Sequence, residues 1–294
     1  MSERLMSLTI AEALTDAARR LREAGVGEAR REAGSLLAHT LGRDRAYLLT
    51  HDDEAPAPAK LSLFRGLVER RAAGEPLQYV TGRQEFYGLD FEVTPDVLIP
   101  RPETELLVET ALGVLGGHAS PLVCDVGTGS GCIPVALLHE RVDACALALD
   151  ISPAALQVAG RNAARHGVAS RLTPLVSDCF DALRAGVWKA TRFPLIVSNP
   201  PYIAGRDIAG LQREVRDHEP RFALTPGGDG LRVIRRLVSE APDFLEARGH
   251  LLFEIGFDQH EAVSALVDPR TWTLLDIHRD LQGIPRVVAL RRKE

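Results

Sequence analysis

The chain has 294 residues, of which 45% are hydrophobic and 26% charged, and a formal net charge of −5. That length is long for one hydrophobic core and suits two domains, because cores stop growing near roughly 250 residues. No apolar run approaches the roughly 18 residues of a membrane span, and Lys and Arg occur only in short groups such as Arg291-Arg292-Lys293 rather than as the basic face of a duplex-binding protein.

Residues 1–74 carry helical periodicity and no strand pattern. Met1–Ser7 lacks the apolar core of a secretion signal, so a cytoplasmic protein is expected. Thr9 and Glu12 form a capping box that opens a helix with Ile10, Leu14, Ala17 and Leu21 on one face. A second helix, about 28–41, buries Ala29, Ala33, Leu36, Leu37 and Leu41 and stops at Gly42. A short third helix holds Ala46, Leu48 and Leu49, and a fourth, about 59–73, buries Leu61, Phe64, Leu67 and Val68. This bundle contains no constellation that looks catalytic, and it reads as a docking module.

Residues 75–100 form a linker in which Gln84–Val93 reads as a β-hairpin around Gly88. Pro102 suits the first turn of a helix of about 103–115, with Glu103 and Glu105 near its positive end. From there to residue 294 strands and helices alternate. The strands are 122–126, 145–150, 172–177, 195–198, 250–255, 272–277 and 286–290; the helices are about 131–139, 153–166, 229–246 and 258–267. Such βαβ units predict an α/β domain over 101–294, with a mostly parallel sheet covered by helices on both faces. The last two strands have too little between them for a helical crossover, which predicts an antiparallel hairpin at one edge. Cys124, Cys132, Cys145 and Cys179 make no Cys-x-x-Cys pair and have no His at ligand spacing, so reduced, structural thiols and no metal are expected.

Two stretches carry the chemistry. Cys124-Asp-Val-Gly-Thr-Gly-Ser-Gly131 follows the first strand of the α/β series and opens a helix. Its glycines, at 127, 129 and 131, are spaced neither as a dinucleotide fingerprint nor as a nucleotide-triphosphate loop. The pattern resembles the S-adenosylmethionine loop of the Rossmann-like class I methyltransferases, with Gly127, Thr128, Gly129, Ser130 and Gly131 around the amino-acid part of the cofactor. Asp150 ends the second strand, where a carboxylate can accept from both ribose hydroxyls; Asp178 and Cys179 follow the third, where they can meet the adenine edge. In the second stretch, Leu195–Tyr202, a buried strand is cut by Pro200 and Pro201, which stiffen the chain and cannot donate hydrogen bonds. Asn199 adds a side-chain amide and is expected among the cofactor-binding residues as well, and Tyr202 adds an aromatic face. A planar group with N–H donors can lie there, donating to the Asn199 oxygen and the Pro200 carbonyl.

Glu75–Tyr79, Glu85–Gly88, Leu98–Glu105, Asp125–Gly131, Ser198–Tyr202 and Glu219–Leu224 together resemble the HemK/PrmC protein-glutamine methyltransferases that modify peptide chain release factors. The resemblance implies methyl transfer from S-adenosyl-L-methionine, with S-adenosyl-L-homocysteine as product, to the side-chain amide nitrogen of the glutamine in a Gly-Gly-Gln motif. It implies that Asn199, Pro200, Pro201 and Tyr202 bind the glutamine, that Asn199, Pro200 and Tyr202 are catalytic, and that a class I release factor is the partner of a monomeric enzyme, docked by the bundle. Cys179 departs from the large aromatic residue some relatives carry there. Asn-Pro-Pro-Tyr also occurs in adenine and guanine amino methyltransferases, so a nucleobase or a ribosomal-protein glutamine stays an alternative acceptor. No Cys–His or Ser–His pair suggests a covalent intermediate. Direct in-line transfer is expected, with Asn199 and the Pro200 carbonyl orienting the nitrogen.

Overall fold

The computed structural model describes residues 8–188 and 192–294, so Met1–Ser7, read above for a secretion signal, lies outside them. The chain divides into two compact units, one reaching to Gly82 and including Gln212–His218, the other comprising Arg83–Leu211 and Glu219–Glu294.

The first unit is a helical bundle. Helix α1 (Ile10–Glu23) opens at Thr9, whose side chain accepts from the Glu12 N–H while the Glu12 carboxylate takes the Thr9 N–H. Helix α2 (Ala29–Leu41) ends on left-handed Gly42, and α3 (Arg45–Thr50), α4 (Pro58–Ala72) and α5 (Leu77–Thr81) complete the N-terminal run. Ile10, Leu21, Leu36, Leu37, Phe64 and Val68 share one apolar core. Leu49 does not join it and is 79% exposed, because a six-residue helix presents only one side and Leu48 occupies it. Helix α5 falls where the sequence predicts linker. Arg71, with its guanidinium buried in this unit, bridges Glu32 and Glu214, the latter at 2.6 Å.

The second unit begins with the expected hairpin, β1 (Arg83–Phe86) paired antiparallel with β2 (Leu89–Glu92). Tyr87 (φ 53°) and Gly88 (φ 73°) are both left-handed, as a two-residue type I′ turn requires. After helix α6 (Glu105–Leu115) come β3 (Leu122–Val126), β4 (Cys145–Asp150), β5 (Leu172–Val176), β6 (Phe193–Ser198), β7 (Leu245–Glu254), β8 (Trp272–Arg279) and β9 (Pro285–Arg292). They form one seven-stranded sheet in the order β5-β4-β3-β6-β7-β9-β8. The first five are parallel, and β9 pairs antiparallel with both β7 and β8, giving the predicted hairpin at an edge. Two apolar clusters, one around Leu107, Val135 and Val197 and one around Phe180, Ile196 and Phe253, pack the sheet to the helices. After β5 the chain returns to the other side of β3, so the carboxyl ends of β3 and β6 stand side by side at the switch point where open α/β sheets bind ligands.

The expected helix over 229–246 is shorter. Asp229-Gly230 forms a turn with Gly230 left-handed (φ 83°), the helix runs Arg232–Glu240, and Pro242 lies in a tighter turn after which β7 starts at Leu245. The helix expected over 258–267 covers only His260–Ser264, and short helices at Asp181–Arg184, Arg213–His218 and Arg221–Leu224 were not predicted. Cys124, Cys132 and Cys179 are buried as expected of small hydrophobes, but Cys145, at the open start of β4, is exposed. Among the described residues no helix is long and apolar enough to cross a membrane, and no group of three or more His, Cys, Asp or Glu could hold a metal ion.

Candidate active site

The glycine loop follows β3 and ends in Gly131, the N-cap of α7 (Cys132–Glu140). Its backbone is pinned. The Gly127 and Thr128 N–H groups donate to the Leu149 carbonyl at 2.8 and 2.9 Å, Gly131 donates to Thr128 at 2.8 Å, and Gly129 donates to Asp150 Oδ2 at 2.8 Å. Gly131 is required twice over. Its φ is 78°, and a Cβ there would stand 2.9 Å from the Ala159 Cβ on α8 (Pro153–Arg165). Helix α8 is capped by Ser152, whose hydroxyl accepts from Ala155, while Asp150 Oδ1 accepts from the Ser152 N–H at 2.8 Å. Asp150 therefore braces both the loop and the helix entry. Each of its oxygens keeps a lone pair for another donor.

The electrostatics around the loop are unusual. Asp125 on β3 is completely buried, and neither of its oxygens has a hydrogen bond of good geometry; the buried Thr128 and Ser130 hydroxyls also lack one. Burial pushes the Asp125 carboxyl up to about 7, a rise that the nearby Thr128 hydroxyl only partly offsets. Burial also raises Asp150, against the backbone donors that favour its charge. Asp178, just beyond β5, is held by Arg236 at 2.8 Å, and Cys179 is left-handed (φ 47°), with its thiol pushed up by burial to about 12.

At the end of β6 the Ser198 hydroxyl donates to the Val126 carbonyl at 2.7 Å, tying the Asn-Pro-Pro-Tyr segment to the glycine loop's strand. Asn199 Nδ2 donates to Thr104 Oγ1 at 3.0 Å, Thr104 donates to Glu254 Oε2 at 2.6 Å, and the Tyr202 hydroxyl donates to Glu254 Oε1 at 3.1 Å. The Tyr202 carbonyl accepts from Gln259 at 2.8 Å, and any Cβ at Gly230 would collide with that carbonyl. Glu219, whose side chain is 1% exposed, takes the Ile99 N–H at 3.2 Å and Arg101 at 2.6 Å. The Leu98–Glu105 and Glu219–Leu224 stretches are joined by these bonds.

A cavity of about 240 Å³ opens over these strand ends. Gly127, Thr128, Gly129 and Ser130 line it, as do Asp150, Asp178 and Cys179, and so do Asn199, Pro200 and Pro201. The two groups predicted separately from sequence thus meet in one space. Gly131 and Tyr202 do not line it: Gly131 packs on Ala159, and Tyr202 packs its half-buried ring against the apolar cluster and ties its hydroxyl to Glu254. Thr104, Glu219 and Glu254 were assigned no role from sequence, and Asp125 only a place in the glycine-loop motif. The available signal was an acid closing or following an apolar run, as in Leu251-Leu-Phe-Glu254, where burial without a partner would be costly.

The family model described as PrmC N-terminal domain matches residues 12–82, and that described as Methyltransferase small domain matches residues 102–238. A release factor glutamine methyltransferase of Nitratidesulfovibrio vulgaris is 44% identical over 287 residues, covering 97% of this chain and 95% of that protein. The chain belongs to the release factor glutamine methyltransferase family. Its relative from Cereibacter sphaeroides is 45% identical over 96% of this chain and 98% of that protein, and that from Burkholderia pseudomallei 48% identical over 87% and 89%. In fold it is similar to a crystallised methyltransferase from Pyrococcus furiosus (TM-score 0.51, 16% identity, 70% of this chain and 90% of that one). It is also similar to the hMettl16 catalytic domain in complex with MAT2A 3′UTR hairpin 6 (TM-score 0.52, 14% identity, 82% and 84%). The chain is a methyltransferase of this family, with the Rossmann-like sheet, helical N-terminal region and edge hairpin that the sequence predicts.

Proposed function

We propose that this protein transfers the methyl group of S-adenosyl-L-methionine to the side-chain amide nitrogen of the glutamine in the Gly-Gly-Gln motif of peptide chain release factors, in the cytoplasm. The observation that carries this reading is a single cavity lined by both the glycine cradle with Asp150 and the Asn199-Pro200 segment. The residues fit the cofactor. The glycine backbone with the short side chains of Thr128 and Ser130 lines the part of the cavity that suits its amino-acid end, the spare lone pairs of Asp150 suit the ribose hydroxyls, and Asp178 with Cys179 suits the adenine. Asp125, negative when ionised and buried beneath the loop, complements a cationic ligand.

Bound cofactor supplies an electrophilic methyl on a sulfonium, and the protein has to present an amide nitrogen to it. An amide nitrogen is a poor nucleophile because its lone pair is delocalised into the carbonyl. Asn199 Oδ1 and the Pro200 carbonyl each accept one amide hydrogen, which fixes the nitrogen and favours the positive charge that grows on it. Such positioning can supply on the order of 7–11 kcal/mol. Pro200 and Pro201 hold that segment stiff. The released amide proton passes to solvent, since no dedicated base is needed for a methylated amide. The helical first unit serves as the docking module for the release factor.

The test is transfer of labelled methyl from the cofactor to a purified release factor, to the same factor with the Gly-Gly-Gln glutamine replaced, to ribosomes and to DNA. Label in the intact factor alone supports the proposal. Label in the glutamine-replaced factor, in ribosomes or in DNA overturns it.

A further inference from the structure

An asparagine side chain has two ends of nearly the same shape, one accepting and one donating, and only its neighbours decide which end faces a ligand. At Asn199 the deciding neighbours lie outside the cavity's predicted residues. Resting on the function proposed above, we propose that Thr104 and Glu254 are positioning residues that fix the polarity of the Asn199 amide, so that the cavity presents an acceptor and takes an N–H donor.

Proton counting decides the orientation of the amide. Thr104 and Glu254 are each 1% exposed, so their bonds are made to each other and to their protein neighbours. A carboxylate only accepts. Glu254 therefore takes the single Thr104 proton at 2.6 Å on one oxygen and the Tyr202 proton at 3.1 Å on the other. Having given its proton away, Thr104 can only accept from Asn199, whose Nδ2 lies 3.0 Å off. The amide NH₂ is thereby held on Thr104 at the cavity wall, and Oδ1 is left to meet a ligand. Protonating Glu254 reverses the chain. The acid then donates to Thr104, Thr104 donates to Asn199, and the amide turns over to present N–H groups, which repel the N–H groups of an incoming amide.

Burial, the largest effect, works against the ionised form of Glu254, and its hydrogen-bond donors and one nearby cation work for it. Arg286 on β9, itself paired with Asp280 at 3.0 Å, favours the carboxylate, as do the Thr104 and Tyr202 hydroxyls. Glu103 opposes it, and burial raises the Glu254 pKa above that of a free glutamate. Tyr202 stays protonated because burial and Glu254 both push its pKa up, and the buried Cys132 thiol, raised to about 12, stays neutral.

The experiment follows the Asn199 side-chain amide by NMR in uniformly labelled protein without methyl acceptor, assigned by its loss in Asn199→Asp, while the pH is lowered. The expected result is a single acid titration of the Asn199 NH₂ signals that disappears in Glu254→Gln. In parallel, methyl transfer by Glu254→Gln and Thr104→Val falls roughly 10- to 100-fold in kcat, with little change in KM or in cofactor affinity. Thr104→Ser recovers most of the rate that Thr104→Val loses, and the acid limb of the wild-type kcat profile is absent from Glu254→Gln. An Asn199 signal indifferent to pH in the wild type, or a Glu254→Gln enzyme with wild-type kcat and an unchanged acid limb, overturns the inference. A wild-type protein that shows the NMR titration but leaves release factor unmethylated overturns the proposed substrate and supports the polarity device.

Discussion

Replacing Asp125 with asparagine removes a carboxyl that is completely buried and has no hydrogen bond of good geometry on either oxygen. In an unfolded chain it titrates near 3.8, and in the folded chain at about 7. Below the lower value both states hold the proton. Between the two only the folded state holds it, so unfolding releases a proton and rising pH favours unfolding. Above about 7 both states are ionised, and the folded one carries the whole cost, about 4 kcal/mol for that difference in pKa. Between pH 5 and pH 8 the stability of the wild type relative to Asp125→Asn should therefore fall by about 3 kcal/mol, the variant gaining as the pH rises. Titrating groups other than Asp150, whose charge is coupled to that of Asp125, cancel in the comparison. Both tryptophans, Trp188 and Trp272, lie in the second unit, so tryptophan fluorescence in urea follows the unfolding of the part that contains Asp125. A wild-type-minus-variant difference that stays flat over this range would refute the reasoning, because Asp125 would then ionise in the fold as it does in water.

Asn199→Ala should lower methyl transfer roughly 10²- to 10³-fold while calorimetry gives a cofactor Kd within a few-fold of wild type, since the lost interaction is made to the methyl acceptor; a near-wild-type rate defeats the orientation model. Asp150→Ala removes the acceptor for the Gly129 and Ser152 N–H groups and should weaken cofactor binding by about 1–3 kcal/mol in the same calorimetric assay; unchanged binding takes Asp150 out of the site. Arg71→Met leaves the partly exposed Glu32 and Glu214 together without their cation and should destabilise the helical unit by about 1–3 kcal/mol, read from its helical circular dichroism on heating. Replacing both glutamates by glutamine in the same variant should restore most of that loss.

What the sequence made legible was local. The Gly127–Gly131 loop, the β-hairpin at Gly88 and the stiff Asn199–Tyr202 segment each sit inside a run of a few residues with one conformational solution, and the alternation of strands and helices places their ends together at the switch point. The supporting polar groups were not legible, because their partners are distant in sequence. Thr104 meets Glu254 across 150 positions, and Arg101 meets Glu219 across 118. No periodicity encodes such pairs. The overlong helix over 229–246 fails for a different reason. Leu231, Ile234, Leu237, Val238 and Ala241 keep helical spacing, but left-handed Gly230 delays the start, and Pro242 ends it before the strand begins at Leu245.

The pinned glycine loop has a thermodynamic consequence. Gly127, Gly129 and Gly131 are the residues with most conformational freedom to lose, and their N–H groups are already engaged by Leu149, Asp150 and Thr128. The entropy of ordering them is lost when the chain folds, not when a ligand arrives. The loop thus acts as a rigid mould, and a ligand entering it needs little rearrangement of backbone. Substitutions at these glycines should accordingly show first as a less stable fold, and only secondarily as weaker affinity in the molecules that still fold.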